Sequence, residues 1–321
     1  MANKSLKQRI LALSPHFEML ARKIYWDNID WFQERAKKKR KRNKKKRKKN
    51  RETGSAVEIE KLIQCLSENG IDDGDLVVVH SSFGELKRTG KTPQEIIDAL
   101  RGLIGESGTL AMPAIRRYQE DPQVNEFVTK NMEGLIATYN TQESKVWTGL
   151  LPKVLLQQPD AVVSRFPLNS MVAVGPEAQA MMKDNLKGEK PLPNGVNSSW
   201  NYCAINGAYV IGLGIDLTHS LTMIHVAEDV MDQDWPVKDW YRERQFHIVD
   251  GDFKTNITVR ERNPKWGAYK FGERTLSKDL TKHGILKSFE IDGVTIEILR
   301  ADELIRFLNE RNSNGYPYFW V

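Results

Sequence analysis

The chain has 321 residues, 40% of them hydrophobic, enough to enclose one large core or two small ones, which excludes a wholly disordered protein. Its formal charge of +6 is unevenly placed: residues 35–51 hold 14 Lys and Arg and no acid, while residues 52–321 hold 29 basic against 38 acidic residues, a net of −9. The acidic body suits a cationic small molecule through its long-range field, and the basic tract is a separate feature.

Residues 6–34 mix apolar and charged positions at helical spacing on either side of Pro15, with Tyr25, Trp26, Trp31 and Phe32 among them. The tract that follows cannot bury its charge. The chain therefore divides into a helical appendage over 1–34, a Lys/Arg-rich linker over 35–55 and a globular domain over 56–321. Two readings of residues 35–51 stand side by side: an anchor for an anionic membrane surface and a solubilising tail. Nucleic acid is not expected. Only Cys65 and Cys203 occur, without metal-knuckle spacing, and there is no run of about 18 apolar residues, so the chain reads as cytoplasmic, at most peripheral on the inner membrane face.

Within the domain, Glu58 to Leu66 predicts a first helix. Leu76 to Val79 is a β-branched run suited to a strand buried on both faces, and it places His80-Ser81-Ser82 at the strand's carboxyl end. Thr92-Pro93-Gln94-Glu95 combines an N-cap, a proline at the first helical position and the acid of a capping box; the apolar residues Ile96, Ile97, Leu100, Leu103 and Ile104 follow. Thr109 to Met112 is the next strand, completing a βαβ unit. Ala208 to Gly214 is a further buried strand, followed by a polar loop and a helix that carries His225 and Glu228. Phe289 to Ile296 is a hairpin around Asp292-Gly293, and Asp302 to Leu308 a closing helix. The alternation predicts an α/β fold with a central mixed, largely parallel sheet flanked by helices.

His225 and Glu228 are three residues apart and share one helical face, so the carboxylate can orient the imidazole. A neutral imidazole with a pKa of about 6.5 can accept a proton from an attacking amine near neutral pH. Such pairs are more often structural than catalytic, and His80-Ser81-Ser82 is equally compatible with a self-satisfied turn. His219, His225, Glu228 and His80 match no recognised ligand spacing, and no metal is expected. There is no Gly-x-Ser-x-Gly elbow, dinucleotide fingerprint or phosphate loop.

In order, LVVVHSSFGEL, TPQEIIDALRGLIGESGTLAMPA, TGLLPKVLLQQPDAVVSRFPLNSMVAVGPEA and AYVIGLGIDLTHSLTMIHVAED resemble the aminoglycoside 3-N-acetyltransferase family over roughly residues 57–311. The resemblance implies acetyl-CoA as donor and direct attack by an amino-sugar nitrogen in a ternary complex. It assigns His225, Glu228 and His80 to catalysis, Ser81, Ser82 and Thr109 to the coenzyme, and Thr222, Asp216 and Ser170 to the acceptor. One departure stands out. The family commonly carries a histidine before the proline of SRFPLNSM, where this chain has Phe166. Three expectations follow: an N-acetyltransferase of an aminoglycoside or related amino sugar, an N-acyltransferase of a surface-polysaccharide amino-sugar intermediate, or an impaired homologue that only binds.

Overall fold

The computed structural model describes residues 10–38, 57–315 and 317–319. Near the N-terminus, the Ser14 hydroxyl accepts a hydrogen bond from the His16 N–H at 3.3 Å and Pro15 opens helix α1 (Pro15–Asp27). After a turn at Asn28 the chain is helical again over 29–38. The segment expected as an appendage packs one face of α1 on the domain, burying Glu18 and Met19. The opposite face exposes Ile10, Leu13, Phe17, Leu20, Ile24 and Trp31, each more than half accessible, at alternating three- and four-residue steps up to Ile24.

The predicted first elements follow as α2 (Ile59–Ser67), β1 (Leu76–Ser81), α3 (Pro93–Ile104) and β2 (Thr109–Pro113). The capping box at the start of α3 is complete: Thr92 Oγ1 accepts from the Glu95 N–H at 3.2 Å, and Glu95 Oε2 accepts from the Thr92 N–H at 2.7 Å. Next come β3 (Ile136–Asn140), β4 (Val162–Val163), β5 (Met171–Val174), α4 (Ser199–Ile205), β6 (Tyr209–Leu213) and the one-turn α5 (Val226–Asp229). The chain ends with β7 (Tyr241–Asp250), β8 (Phe253–Arg262), α6 (Pro264–Tyr269), α7 (Glu273–Lys282), β9 (Lys287–Ile291), β10 (Val294–Arg300) and α8 (Ala301–Ser313).

Seven strands form the central mixed sheet in the order β4-β5-β2-β1-β6-β10-β9. Pairing is parallel at its centre, where β1 lies between β2 and β6, and antiparallel on both flanks. Successive residues of β1 explain why both faces are covered: Leu76 and Val78 enter a core with α4, α5, α7 and α8, whereas Val77 and Val79 enter one with α2 and α3. A second, three-stranded sheet, β3-β7-β8, covers Phe166, Tyr118 and Tyr139 with Phe246, Ile248 and Val259.

Gly175, just past β5, has φ +128°, and a Cβ there would sit 2.4 Å from the Gly108 carbonyl oxygen and 2.7 Å from Thr109 Cα. Both partners are backbone, so no rotamer change relieves the clash and the main chain itself must shift. Gly175→Ala should therefore cost about 2 kcal/mol, measured as a drop in the urea midpoint at unchanged slope.

Candidate active site

The His225–Glu228 pair is held by a turn rather than by the regular helix expected. Thr222–His225 is a 3₁₀ turn that runs directly into α5. In such a turn residues three apart lie over one another, so the shared face survives the change of helix type. His225 Nδ1 stands 3.2 Å from Glu228 Oε1. The carboxylate is only 2% exposed.

A third group completes the cluster from the far side. Arg262, the last residue of β8, places Nη1 3.0 Å from His225 Nδ1 and 3.6 Å from Glu228 Oε2. One ring nitrogen thus faces both a donor and an acceptor. With the proton on Nδ1 and given to Glu228, Nε2 carries the free lone pair; with Nδ1 accepting from Arg262, Nε2 carries the proton and has no basic lone pair. Burial and then the Arg262 charge lower the His225 pKa, with Glu228 opposing, so the ring is neutral at pH 7. Burial pushes the Glu228 carboxyl up, but its interactions with His225 and the Arg262 guanidinium outweigh it and keep it ionised.

These groups line a pocket of about 190 Å³ together with Asn169, Asn194, Thr222, Asp229 and Glu261. Asp229 is buried, accepts from the Tyr241 hydroxyl at 3.0 Å and from the Asn194 N–H at 3.0 Å, and is pushed up to about 7, first by desolvation and then by the charge of Glu228. Asn169 adopts a left-handed backbone, φ 48°, which brings its carbonyl to the Trp200 indole N–H at 2.7 Å and its amide to Asn194 at 2.8 Å. The pocket is thus built from four separate stretches of chain.

A sequence model described as aminoglycoside 3-N-acetyltransferase matches residues 78–312, nearly three quarters of the chain and all of this pocket. The chain belongs to the aminoglycoside 3-N-acetyltransferase family. It is 27% identical to aminoglycoside N(3)-acetyltransferase VIII of Streptomyces fradiae over 79% of this chain and 91% of that relative. Against aminoglycoside N(3)-acetyltransferase III of Serratia marcescens it is 27% identical over 73% of this chain and 80% of the other. The fold matches the YokD protein of Bacillus subtilis with a TM-score of 0.66 at 18% identity, covering 82% and 96% of the two chains. An AAC-IIIb enzyme in a binary complex with CoASH matches with a TM-score of 0.65 at 19% identity, covering 81% and 97%. As a member of this family the protein is an N-acetyltransferase.

Of the residues expected at the family's site, Thr222, His225 and Glu228 come together in one pocket. The others are elsewhere. His80 is buried at the carboxyl end of β1 opposite Gly212, with its ring 6.1 Å from that of Trp200, and burial lowers its pKa to about 4. Its Nε2 has no hydrogen-bond partner among the described residues. Ser81 and Ser82 are half-buried beside it, and their hydroxyls make no hydrogen bond among the described residues. Thr109, expected at the coenzyme, is fully buried at the amino end of β2, and its hydroxyl accepts from the Glu177 N–H at 3.0 Å. Asp216 accepts from the Thr218 N–H at 3.0 Å and starts a 3₁₀ turn. Ser170 donates to the Ala114 carbonyl at 2.7 Å, tying β2 to β5. The last three side chains are engaged in holding the fold.

Phe166, where the resemblance leads to the expectation of a histidine, is 4% exposed among Tyr118, Tyr139 and Phe246, in the core beneath the second sheet. Arg262, Asp229, Asn169 and Asn194 were not anticipated. For Asp229 the sequence held one cue, a second acid directly after Glu228 in an otherwise apolar turn. For Arg262 there was none. Since its charge lowers the His225 pKa, Arg262→Met should move the acid limb of the kcat/KM profile to higher pH. Measuring kcat/KM from pH 5 to 9 checks this, and an unmoved limb would show that His225 is not the titrating base.

Proposed function

We propose that this enzyme transfers the acetyl group of acetyl-CoA to the amine of an aminoglycoside or related amino sugar, with donor and acceptor bound together. The observation that carries the reading is the neutral His225 imidazole joined at Nδ1 to a buried, ionised Glu228 in a pocket that also holds Thr222. Acetyl-CoA supplies an activated acyl carbon in its thioester. The acceptor nitrogen forms the new N–C bond as the C–S bond breaks and the coenzyme leaves as thiolate; His225 Nε2 takes the proton that the nitrogen sheds and passes it to that sulfur, releasing the thiol. Glu228 stabilises the imidazolium so formed. The unengaged hydroxyls of Ser81 and Ser82 at the end of β1 suit the amides or thioester carbonyl of the donor. Free thiol released from acetyl-CoA in the presence of an amino-sugar panel tests the proposal, and it fails if no amine releases thiol.

The hydrocarbon ring of Phe166 favours a second reading, a homologue that binds coenzyme without turnover. Saturable acetyl-CoA binding with no thiol release from any amine would select it.

The partner of the N-terminal region is also a proposal. Among the described residues no helix is long and apolar enough to cross a membrane. The exposed stripe of Ile10, Leu13, Phe17, Leu20, Ile24 and Trp31 precedes in sequence the 14 Lys and Arg of residues 35–51, and an apolar face followed by clustered cations fits an anionic lipid surface. The enzyme should sediment with phosphatidylglycerol vesicles at 0.1 M salt and not with phosphatidylcholine vesicles. Leu20→Asp combined with Ile24→Asp should cut the bound fraction at least fivefold, and equal sedimentation of the double variant would end this assignment.

A further inference from the structure

A larger cleft, of about 630 Å³, adjoins the His225 pocket, and Glu261 and Arg262 line both. Its charge is unlike that of the acidic body. Arg22, Arg116, Arg117, Arg242, Arg244 and Arg262 line it. Against them stand Asp121, Glu261 and Glu273, leaving a formal excess of three positive charges.

The pairing of these groups shows where the excess lies. Glu273 is matched by Arg22 at 2.5 Å, Glu261 by Arg242 at 2.6 Å, and Asp121 by Arg244 at 3.1 Å. Arg262 has its carboxylate outside the cleft lining, Glu228 at 3.6 Å, so Arg116 and Arg117 remain. Arg116 is 4% exposed and donates to neutral groups, among them the carbonyls of Ser144 at 2.6 Å and Thr141 at 2.8 Å. Its Nε–H has no acceptor among the described residues. A buried guanidinium without a carboxylate is costly in the free protein and is relieved by a bound anion. Arg117 lies over the Trp147 ring at 4.7 Å from its centroid, and that indole is 61% exposed. Trp26, which also lines the cleft, stacks on Phe127 with centroids 5.5 Å apart and ring planes 21° from parallel.

Arginine charge without a matching carboxylate, set beside flat aromatic rings, is the recognition chemistry of a nucleotide. We propose that the cleft receives the nucleoside-diphosphate part of the acceptor, a nucleotide-linked amino sugar, and that Arg262 marks the passage through which the sugar amine reaches His225. This rests on the reading of His225 as the base of an N-acetyltransferase. A polycationic aminoglycoside would meet the excess arginines at distances where screening is weak. The coenzyme also carries phosphates, but none of the described residues lining the cleft comes from the Ser81–Ser82 loop assigned to it. Moreover, Arg22 and Trp26 belong to α1, outside residues 78–312 that match the family, so this wall lies beyond the matched segment. An anion in the cleft would also draw Arg262 off His225 Nδ1, leaving that nitrogen to donate to Glu228 alone and freeing Nε2 as the base.

The test uses the full chain and two readouts. Calorimetric titration of the free enzyme with UDP and with pyrophosphate should show saturable binding that weakens at least tenfold between 0.05 and 0.5 M salt. Arg117→Ala should weaken it at least tenfold, with Arg117→Lys intermediate and both variants melting like the wild type. In turnover with UDP-glucosamine, Arg117→Ala should raise the acceptor KM at least tenfold and leave the acetyl-CoA KM within twofold. Absence of UDP and pyrophosphate binding would overturn the proposal. So would a raised acetyl-CoA KM with the acceptor KM unchanged, which would assign the cleft to the coenzyme, or a higher kcat/KM for free aminoglycosides than for UDP-glucosamine. Failure of the underlying reading is separable: acetyl-CoA would release no thiol with any amine, whether or not UDP binds.

Discussion

Replacing His225 with alanine is expected to slow turnover by about a hundredfold or more at pH 7.5, with both substrates saturating. The acceptor amine must lose a proton as the N–C bond forms, and the imidazole is the group whose state and surroundings fit that task. It is neutral because burial and Arg262 disfavour its charged form, and Glu228, 3.2 Å away, steadies the charge once the proton arrives. Glu228→Gln keeps the size and a hydrogen-bond acceptor while removing the charge, so its loss should be smaller than that of His225→Ala. Since the loss concerns the chemical step, acetyl-CoA binding measured by calorimetry should change by less than twofold in both variants. Undiminished turnover in His225→Ala would transfer the role to another group, and Asp229, held near pH 7 in the same pocket, is the next to examine.

Where local chemistry decides structure, the sequence was readable. The Val77–Val79 run is buried on both faces, Thr92 and Glu95 close their capping box, and Asp292 and Gly293 both adopt positive φ, 48° and 78°, as a tight hairpin requires. The second sheet escaped notice because β3 and β7 pair across more than 100 residues, a contact with no local signature. Its hairpin did leave a trace: Gly251-Asp252 between alternating strands, with Gly251 at φ 58°. The same division runs through the site. His225 and Glu228 were legible because three residues of spacing suffice to join them, whereas Arg262 reaches them from the end of β8 in the second sheet. Thr109 and Ser170 were placed at the site by resemblance alone, and their hydroxyls serve the backbone. A polar residue at a strand end carries the same letter in either role, and only its partners separate the two.

Glu18→Ala is expected to remove about 3 kcal/mol from the docking of α1, because this carboxylate is the point at which the helix is fastened to the domain. It is fully buried, and it accepts from Arg274 Nη1 at 2.6 Å, from the Arg274 backbone N–H at 2.8 Å and from Arg22 at 3.4 Å. Alanine would leave two guanidinium groups without their shared anion and a backbone donor without an acceptor. Both arginines retain about a fifth of their side-chain exposure, which places the cost at the lower end of the range for broken buried pairs. The loss should appear as local opening rather than global unfolding, since neither face of the central sheet depends on α1. Amide exchange over 15–27 should therefore accelerate about a hundredfold, while β1 and β6 keep their protection. Arg22 and Trp26 would leave the cleft wall with the helix, so acceptor affinity should fall even though His225 and Glu228 stay in place. Unchanged exchange over 15–27 would mean that Met19 and the apolar contacts of α1 hold the helix without the ionic cluster.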